Sequence, residues 1–202
     1  MARVLVYYAH PGQKYSNANA AMAAEAKATE GISFVDLYAA YPRFDISTEE
    51  EQERLLEHDV ILFQFPMFWY SSPALLKEWL DIVLEHGFAY GKDGTKLAGK
   101  AMMLALTAAG PAEAYTRDGY QHHEIRTFLT PFEQTARLCK MDFVAPYVLY
   151  GSLRAAASGS VAPHAEGYGR LLRALRDDRF DRTRAAEMSV LHHDTLPLLE
   201  EV

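Results

Sequence analysis

The chain has 202 residues, half of them hydrophobic and 23% charged, which suits one ordinary α/β domain and argues against a disordered chain. A formal net charge of −7 argues against a nucleic-acid or anionic-membrane surface, which would need clustered Lys and Arg. The single cysteine, Cys139, excludes an internal disulfide and a multi-cysteine metal site.

Met1-Ala2-Arg3 leads into an apolar run far too short for a signal peptide or a membrane-spanning helix, so a cytoplasmic location is the expectation. That run, Arg3 to Tyr8, is β-branched and aromatic and predicts a first strand. Asn17 to Ala28, rich in Ala, Met, Glu and Lys, predicts a helix. Ile32 to Leu37 alternates as a second strand. Thr48 to Glu57 predicts a charged helix with Asp45 or Ser47 as its cap. Asp59 to Phe65 is nearly all apolar, the pattern of a strand buried on both faces. Ser72-Pro73 predicts a capped helix start, with Leu75, Leu76, Trp79, Leu80 and Val83 on one face. Ala101 to Thr107 is a fourth buried strand. Gln121 to Cys139 has helical spacing, with a break at Pro131 and recapping by Thr130. Asp142 to Tyr150 contains a fifth strand, and Gly167 to Arg176 predicts the last helix.

Five strands with intervening helices imply a doubly wound parallel sheet, flavodoxin-like, of order 2-1-3-4-5. The domain is expected to span residues 1–178, followed by a tail, 179–202. Ligands of such sheets bind beyond the carboxyl ends of the strands, at the switch point. Three loops leave that edge.

The first, Ala9 to Ala20, runs into a helix start carrying Ser16, Asn17 and Asn19. Free amides and the helix dipole make it an anion site, and His10 adds a donor; ordinary capping by Ser16 or Asn17 is the plainer reading. The loop is neither a G-x-G-x-x-G fingerprint nor a Walker P-loop. The second, Pro66 to Pro73, sets Phe68, Trp69 and Tyr70 side by side, suited to a flat ring ligand, to covering the core, or to an oligomer interface. The third, Thr107 to His123, begins with small residues that expose amides and carries Tyr115, Tyr120, His122 and His123 as proton donors. His122-His123 is equally a solvated helix start. No metal is expected there or at His192-His193, because adjacent helical side chains diverge and no carboxylate or Cys set converges in sequence.

Four blocks carry a family resemblance: YAHPGQKYSNANAAM (8–22), FPMFWYSSPALLKEWLDIVLEHGFAYG (65–91), LAGKAMMLALTAAGP (97–111) and PFEQTARLCKM (131–141). Together they resemble the flavodoxin-like NAD(P)H:quinone oxidoreductases, above all their short members, the ancillary oxidoreductase subunits of glutathione-regulated potassium efflux systems. The likeness runs from about residue 1 to 176. It implies FMN, with FAD as the alternative, and NAD(P)H as hydride donor. It implies that His10, Ser16, Asn17, Ala18 and Asn19 serve the phosphate side. Pro66, Met67, Phe68, Trp69 and Tyr70 run along the isoalloxazine, and Thr107, Ala108, Ala109 and Gly110 form the third contact. Tyr115 matches a tyrosine beside the flavin, and the family's histidine falls near Gln121 and His122, so Tyr115 and His122 are the catalytic candidates.

The departures are Ala108-Ala109 in place of Thr-Gly and Phe68 in place of a common Gln. The implied activity is a ping-pong, two-electron hydride transfer to a quinone or similar acceptor. The alternative is a regulatory flavin-binding subunit docking on a potassium efflux transporter, peripheral to the inner face of the cell membrane. A homodimer is expected, with the aromatic loop covered by the second chain. The tail, from Arg182 on, matches nothing in the family; a docking segment and a disordered end are both open readings.

Overall fold

The computed structural model describes residues 1–12 and 16–199. The middle of the first loop, 13–15, and the end of the tail, 200–202, lie outside the described residues. The elements in chain order are β1 (Val4–Tyr8), α1 (Ala18–Ala28), β2 (Ile32–Asp36), α2 (Leu37–Ala40), α3 (Thr48–Leu56), β3 (Val60–Pro66), α4 (Ala74–Val83) and β4 (Ala101–Thr107). They continue with α5 (Ile125–Phe128), α6 (Thr130–Leu138), β5 (Asp142–Phe143), β6 (Tyr147–Leu149), α7 (Ala155–Ser158), α8 (Val161–Arg176) and α9 (Arg182–Ala186).

All strand pairings are parallel, in the order β2-β1-β3-β4-β5, with β6 also beside β4. The expected fifth strand therefore runs in two pieces along β4. Pro146 stands at the break, where a residue without an N–H cannot donate to the ladder. Every residue of β1, β3 and β4 is buried. Because side chains alternate across a sheet, each strand feeds two cores. Leu5, Tyr7, Ile61, Phe63, Met102 and Leu104 join Leu76, Trp79 and Phe132 on one face. Val4, Val6, Val60, Leu62, Ala101 and Met103 join Met22, Tyr168 and Leu172 on the other.

The first core encloses a carboxylate. Glu51 of α3 is wholly buried and accepts from Tyr41 Oη (2.7 Å), Trp79 Nε1 (3.0 Å), Arg54 (2.6 Å) and Tyr7 Oη. Four donors offset the desolvation of one charge and tie α3 to α4 and β1. Burial, then the neighbouring Glu51 charge, pushes the Tyr7 phenol far up, so it stays a donor.

Of the two candidate caps of α3 one is taken up, and three other local expectations are corrected. Ser47 caps α3, accepting from the Glu50 amide at 3.4 Å, while Asp45 pairs with Arg43. Ser72 does not cap α4: the cap position is Pro73, and the Ser72 hydroxyl is buried without a partner. Residues 121–124 are not helical. The helix breaks at Leu129, and Thr130 donates back to the Thr127 carbonyl (2.8 Å) instead of recapping. The last long helix begins at Val161, six residues before the expected Gly167, because Pro163 sits within its first turn, where a missing N–H is harmless.

Residues 179–199 lie against the second core. Phe180, Ala185 and Leu191 are buried in it, and Leu191 extends beside β6 with Val148 N–H to Leu191 O at 3.1 Å. No helix among the described residues is long and apolar enough to cross a membrane.

Candidate functional site

With order 2-1-3-4-5 the chain reverses its winding between β1 and β3, and a crevice opens where their following loops part. A cavity of about 360 Å³ lies there. Its walls are His10 and Gly12 after β1, Ser16 to Asn19 at the start of α1, Pro66 at the end of β3 and Phe68 after it, Thr107 at the end of β4, and Ser152 and Leu153 after β6. Folding thus brings together eight of the expected residues: His10, Ser16, Asn17, Ala18, Asn19, Pro66, Phe68 and Thr107.

The helix start is open toward this cavity. Ser16 Oγ accepts from the Ala20 amide (3.1 Å), the capping role, whereas the Asn17 side chain caps nothing. Among the described residues no partner engages the Ala18 and Asn19 amides. With no acceptor among the described residues, these two N–H groups lie at the positive end of an 11-residue helix, an arrangement that favours an anion.

Behind it lies a polar relay. Asn19 Nδ2 donates to Thr107 Oγ1 (2.8 Å), and Gln64 Nε2 donates to the Asn19 carbonyl (2.8 Å). Asn19, Gln64 and Thr107 are all buried, and Asn19 Oδ1 and Gln64 Oε1 have no partner. Since Thr107 Oγ1 is occupied as an acceptor, its proton is free to donate. Gln64, a polar residue within an otherwise apolar strand, was visible in sequence but not singled out. His10 Nδ1 accepts from the Gly12 amide (3.1 Å), so in the neutral ring Nε2 carries the proton. Burial holds the His10 pKa below the ordinary imidazole value and keeps it in that neutral form.

The aromatic loop is strained. Phe68 and Ser71 exchange both backbone hydrogen bonds at 3.0 Å, closing a two-residue turn over Trp69 and Tyr70. Both residues have positive φ, 48° and 65°. Such turns usually hold Asn-Gly; a bulky aromatic pair there costs about 1–3 kcal/mol per residue. Trp69 is 93% exposed. Phe68 meets the His10 ring edge-on at 6.1 Å, and Tyr70 lies on Phe128 at 5.0 Å.

The other expected residues do not wall the cavity. Met67 is half-buried beneath the loop, with its amide bound to the Thr107 carbonyl (2.9 Å). Ala108 is fully buried and its amide is taken by the Leu149 carbonyl (2.8 Å), so it is not the free donor expected there. Ala109 is exposed. A Cβ on Gly110 would come within 3.2 Å of the Tyr115 ring, so the two stack closely. Tyr115 is buried in an aromatic cluster with Phe128 (6.2 Å) and Tyr150 (5.6 Å). Burial raises its pKa and keeps the phenol protonated. His122 sits exposed on a positive-φ turn. Ser152 and Leu153 were missed. Their signal was a Gly-Ser step right after an apolar strand, the same position as the other loops.

A doubly wound flavodoxin-like sheet, with a helix start and an aromatic loop meeting at its switch point, defines the class. The chain belongs to the family described as flavodoxin-like fold, whose sequence profile matches residues 2–172. A curated relative, the glutathione-regulated potassium-efflux system ancillary protein KefG of Cronobacter sakazakii, is 43% identical over 171 residues, covering 85% of this chain and 92% of its own. Among solved structures, general stress protein 14 of Treponema denticola in complex with FMN is 35% identical, with a TM-score of 0.81, covering 86% of this chain and 99% of that one. An NADPH-quinone reductase from P. pentosaceus is 27% identical, with a TM-score of 0.73 and coverages of 84% and 96%. A structure named a thermophilic tryptophan halogenase from Streptomycin violaceusniger is 45% identical, with a TM-score of 0.79 and coverages of 82% and 95%.

Proposed function

We propose that this protein binds FMN in the switch-point cavity and catalyses two-electron transfer from NAD(P)H to a quinone or similar acceptor. The observation that carries the reading is the convergence of the α1 anion seat, the Phe68 edge and the Thr107 hydroxyl on one cavity. The donor set fits the cofactor. The Ala18 and Asn19 amides with the Ser16 hydroxyl would hold a phosphate, and His10 Nε2–H would donate nearby. Thr107, ordered by Asn19, would donate to the ring's polar edge. When bound, FMN supplies the hydride acceptor and donor; the protein positions it and tunes its potential. Phe68 would line the ring, and Trp69 and Tyr70 would border the face where donor and acceptor alternate. Tyr115 and His122 remain the candidates for donating to developing charge. The relatives named for FMN and for NADPH-quinone chemistry support this reading; halogenation, named for another, is not part of it.

Titrating flavin-free protein with FMN and FAD tests the reading, followed by NADPH oxidation with a soluble quinone. Tight FMN binding and turnover are expected, and failure to bind either flavin at about 10–100 μM, far weaker than a resident cofactor, would sink it. The likeness to KefG supports a second role as an ancillary subunit on a potassium efflux transporter. Flavin binding without quinone reduction by the isolated chain would favour that role alone. A homodimer belongs to the proposal, because Phe68, Trp69 and Tyr70 form an exposed aromatic patch that a second chain would cover. A monomeric mass at assay concentration would count against it.

A further inference from the structure

We propose that His164, His192 and His193 form a site for one divalent transition-metal ion of the zinc type, clipping the C-terminal segment to α8. Folding gathers the three rings from two distant stretches of chain. One coordinating nitrogen from each lies within 4.8 Å of the others. The ring centroids of His192 and His193 are 4.3 Å apart, and each lies about 6 Å from that of His164. None of the three lines the switch-point cavity.

His164 is the strongest observation. It is fully buried, and neither ring nitrogen has a hydrogen-bond partner. A buried imidazole with both nitrogens unpaired is a site in want of a ligand. Its orientation is set from behind. The Tyr147 ring stacks on it at 4.2 Å, and the Tyr147 hydroxyl donates to the His164 carbonyl at 2.6 Å. His193 Nδ1 is also buried without a partner. His192 Nδ1 is paired with Asp194 at 2.7 Å, which leaves Nε2 as the outward nitrogen. A carboxylate behind a histidine fixes its tautomer and raises its basicity toward a metal.

The tail is held in place for this. Leu191 N–H donates to the Pro146 carbonyl (2.8 Å), and Arg170 donates to the His193 carbonyl (2.7 Å). Gly167 permits the approach, since a Cβ there would lie 2.4 Å from the His193 Cβ. Neighbouring nitrogens in a tetrahedral zinc site stand about 3.3–3.4 Å apart, given bonds of about 2.0–2.1 Å. Rotations of the half-buried His192 and His193 side chains would close the remaining gap from 4.8 Å. Three neutral imidazoles with a water in the fourth position suit Zn(II) better than Mg(II) or Ca(II), which demand oxygen. The expectation that no metal sits at His192-His193 considered only the adjacent pair; the third ring comes from the start of α8.

The test uses full-length protein without a polyhistidine tag, stripped with chelator and titrated with zinc chloride by calorimetry, with bound metal counted after dialysis. One ion per chain is expected. Near-saturating zinc should raise the melting temperature by about 5–10 °C, as expected for a ligand at roughly 100-fold its dissociation constant. His192→Ala and His193→Ala should each abolish stoichiometric binding. Asp194→Asn should weaken it by about 10- to 100-fold, the effect typical of a histidine's supporting carboxylate. FMN affinity should not change in any of the three. Substoichiometric zinc in the wild-type chain, or stoichiometric zinc retained in both alanine variants, overturns the proposal. The two alanine variants involve half-buried side chains, so the outcome does not rest on altering the buried His164.

Discussion

Thr107→Val is the most informative perturbation of the cavity. It is nearly isosteric and replaces the hydroxyl with a methyl in a site that is almost closed to solvent. Asn19 Nδ2 then loses its acceptor at 2.8 Å, and since Asn19 Oδ1 is already unpaired, the whole buried amide becomes unsatisfied. An orphaned buried polar group costs about 1–3 kcal/mol. For a chain of this size each kcal/mol moves the melting temperature by about 2–4 °C, so flavin-free Thr107→Val should melt about 2–12 °C lower. If the freed hydroxyl proton donates to the ring edge, its loss weakens FMN by about 2- to 12-fold, the equivalent of one neutral hydrogen bond. Thr107→Ser keeps the acceptor and the donor and should restore most of both. Scanning calorimetry of the flavin-free protein and fluorescence titration with FMN give the two numbers. Unchanged melting and affinity in Thr107→Val, or a Ser variant as impaired as Val, would refute the relay.

Tyr115→Phe should bind FMN normally and slow flavin reduction by about tenfold in stopped flow; an unchanged rate assigns Tyr115 to its aromatic cluster alone. Trp69→Asn should raise the melting temperature by about 2–4 °C by relieving about 1 kcal/mol at a positive-φ position, while weakening the proposed dimer in sedimentation. A lower melting point would show that the exposed indole packs favourably within one chain. Glu51→Gln should destabilise by about 3–5 kcal/mol in urea unfolding, because three neutral donors and one guanidinium are organised around a charge that is no longer there; a loss under 1 kcal/mol would contradict that account. Neutral His10 is favoured by folding, so its stabilisation is complete above the ordinary imidazole value of 6.5 and falls away as pH drops below it. His10→Gln should therefore flatten the decline in melting temperature on acidification, and an unaltered decline would show that other groups carry it.

Apolar runs, helix-forming composition, cap signals and helical spacing together determined the α/β alternation. The buried strands β1, β3 and β4 were legible as short apolar runs because a strand covered on both faces has no polar side to mask. The first, second and third loops were legible as a candidate site because the strand order directs their ends to one edge. What sequence could not decide were the meetings of residues far apart in the chain. Asn19 and Thr107 stand 88 positions apart, and only the parallel register of β1, β3 and β4 brings them to 2.8 Å. Ser152 and Leu153 reach the cavity only because the fifth strand resumes beyond Pro146. Tyr115 carried a familiar spacing, yet its burial between Tyr150 and Phe128 depends on where α5 begins, which local pattern misplaced. The tail showed no periodicity, so its burial rests on tertiary fit: Gly167 lets residues 191–193 lie against α8, and His164 meets its two neighbours there. Local preference acts over a few residues and leaves its mark in composition, whereas a contact across the fold is a property of the assembled geometry.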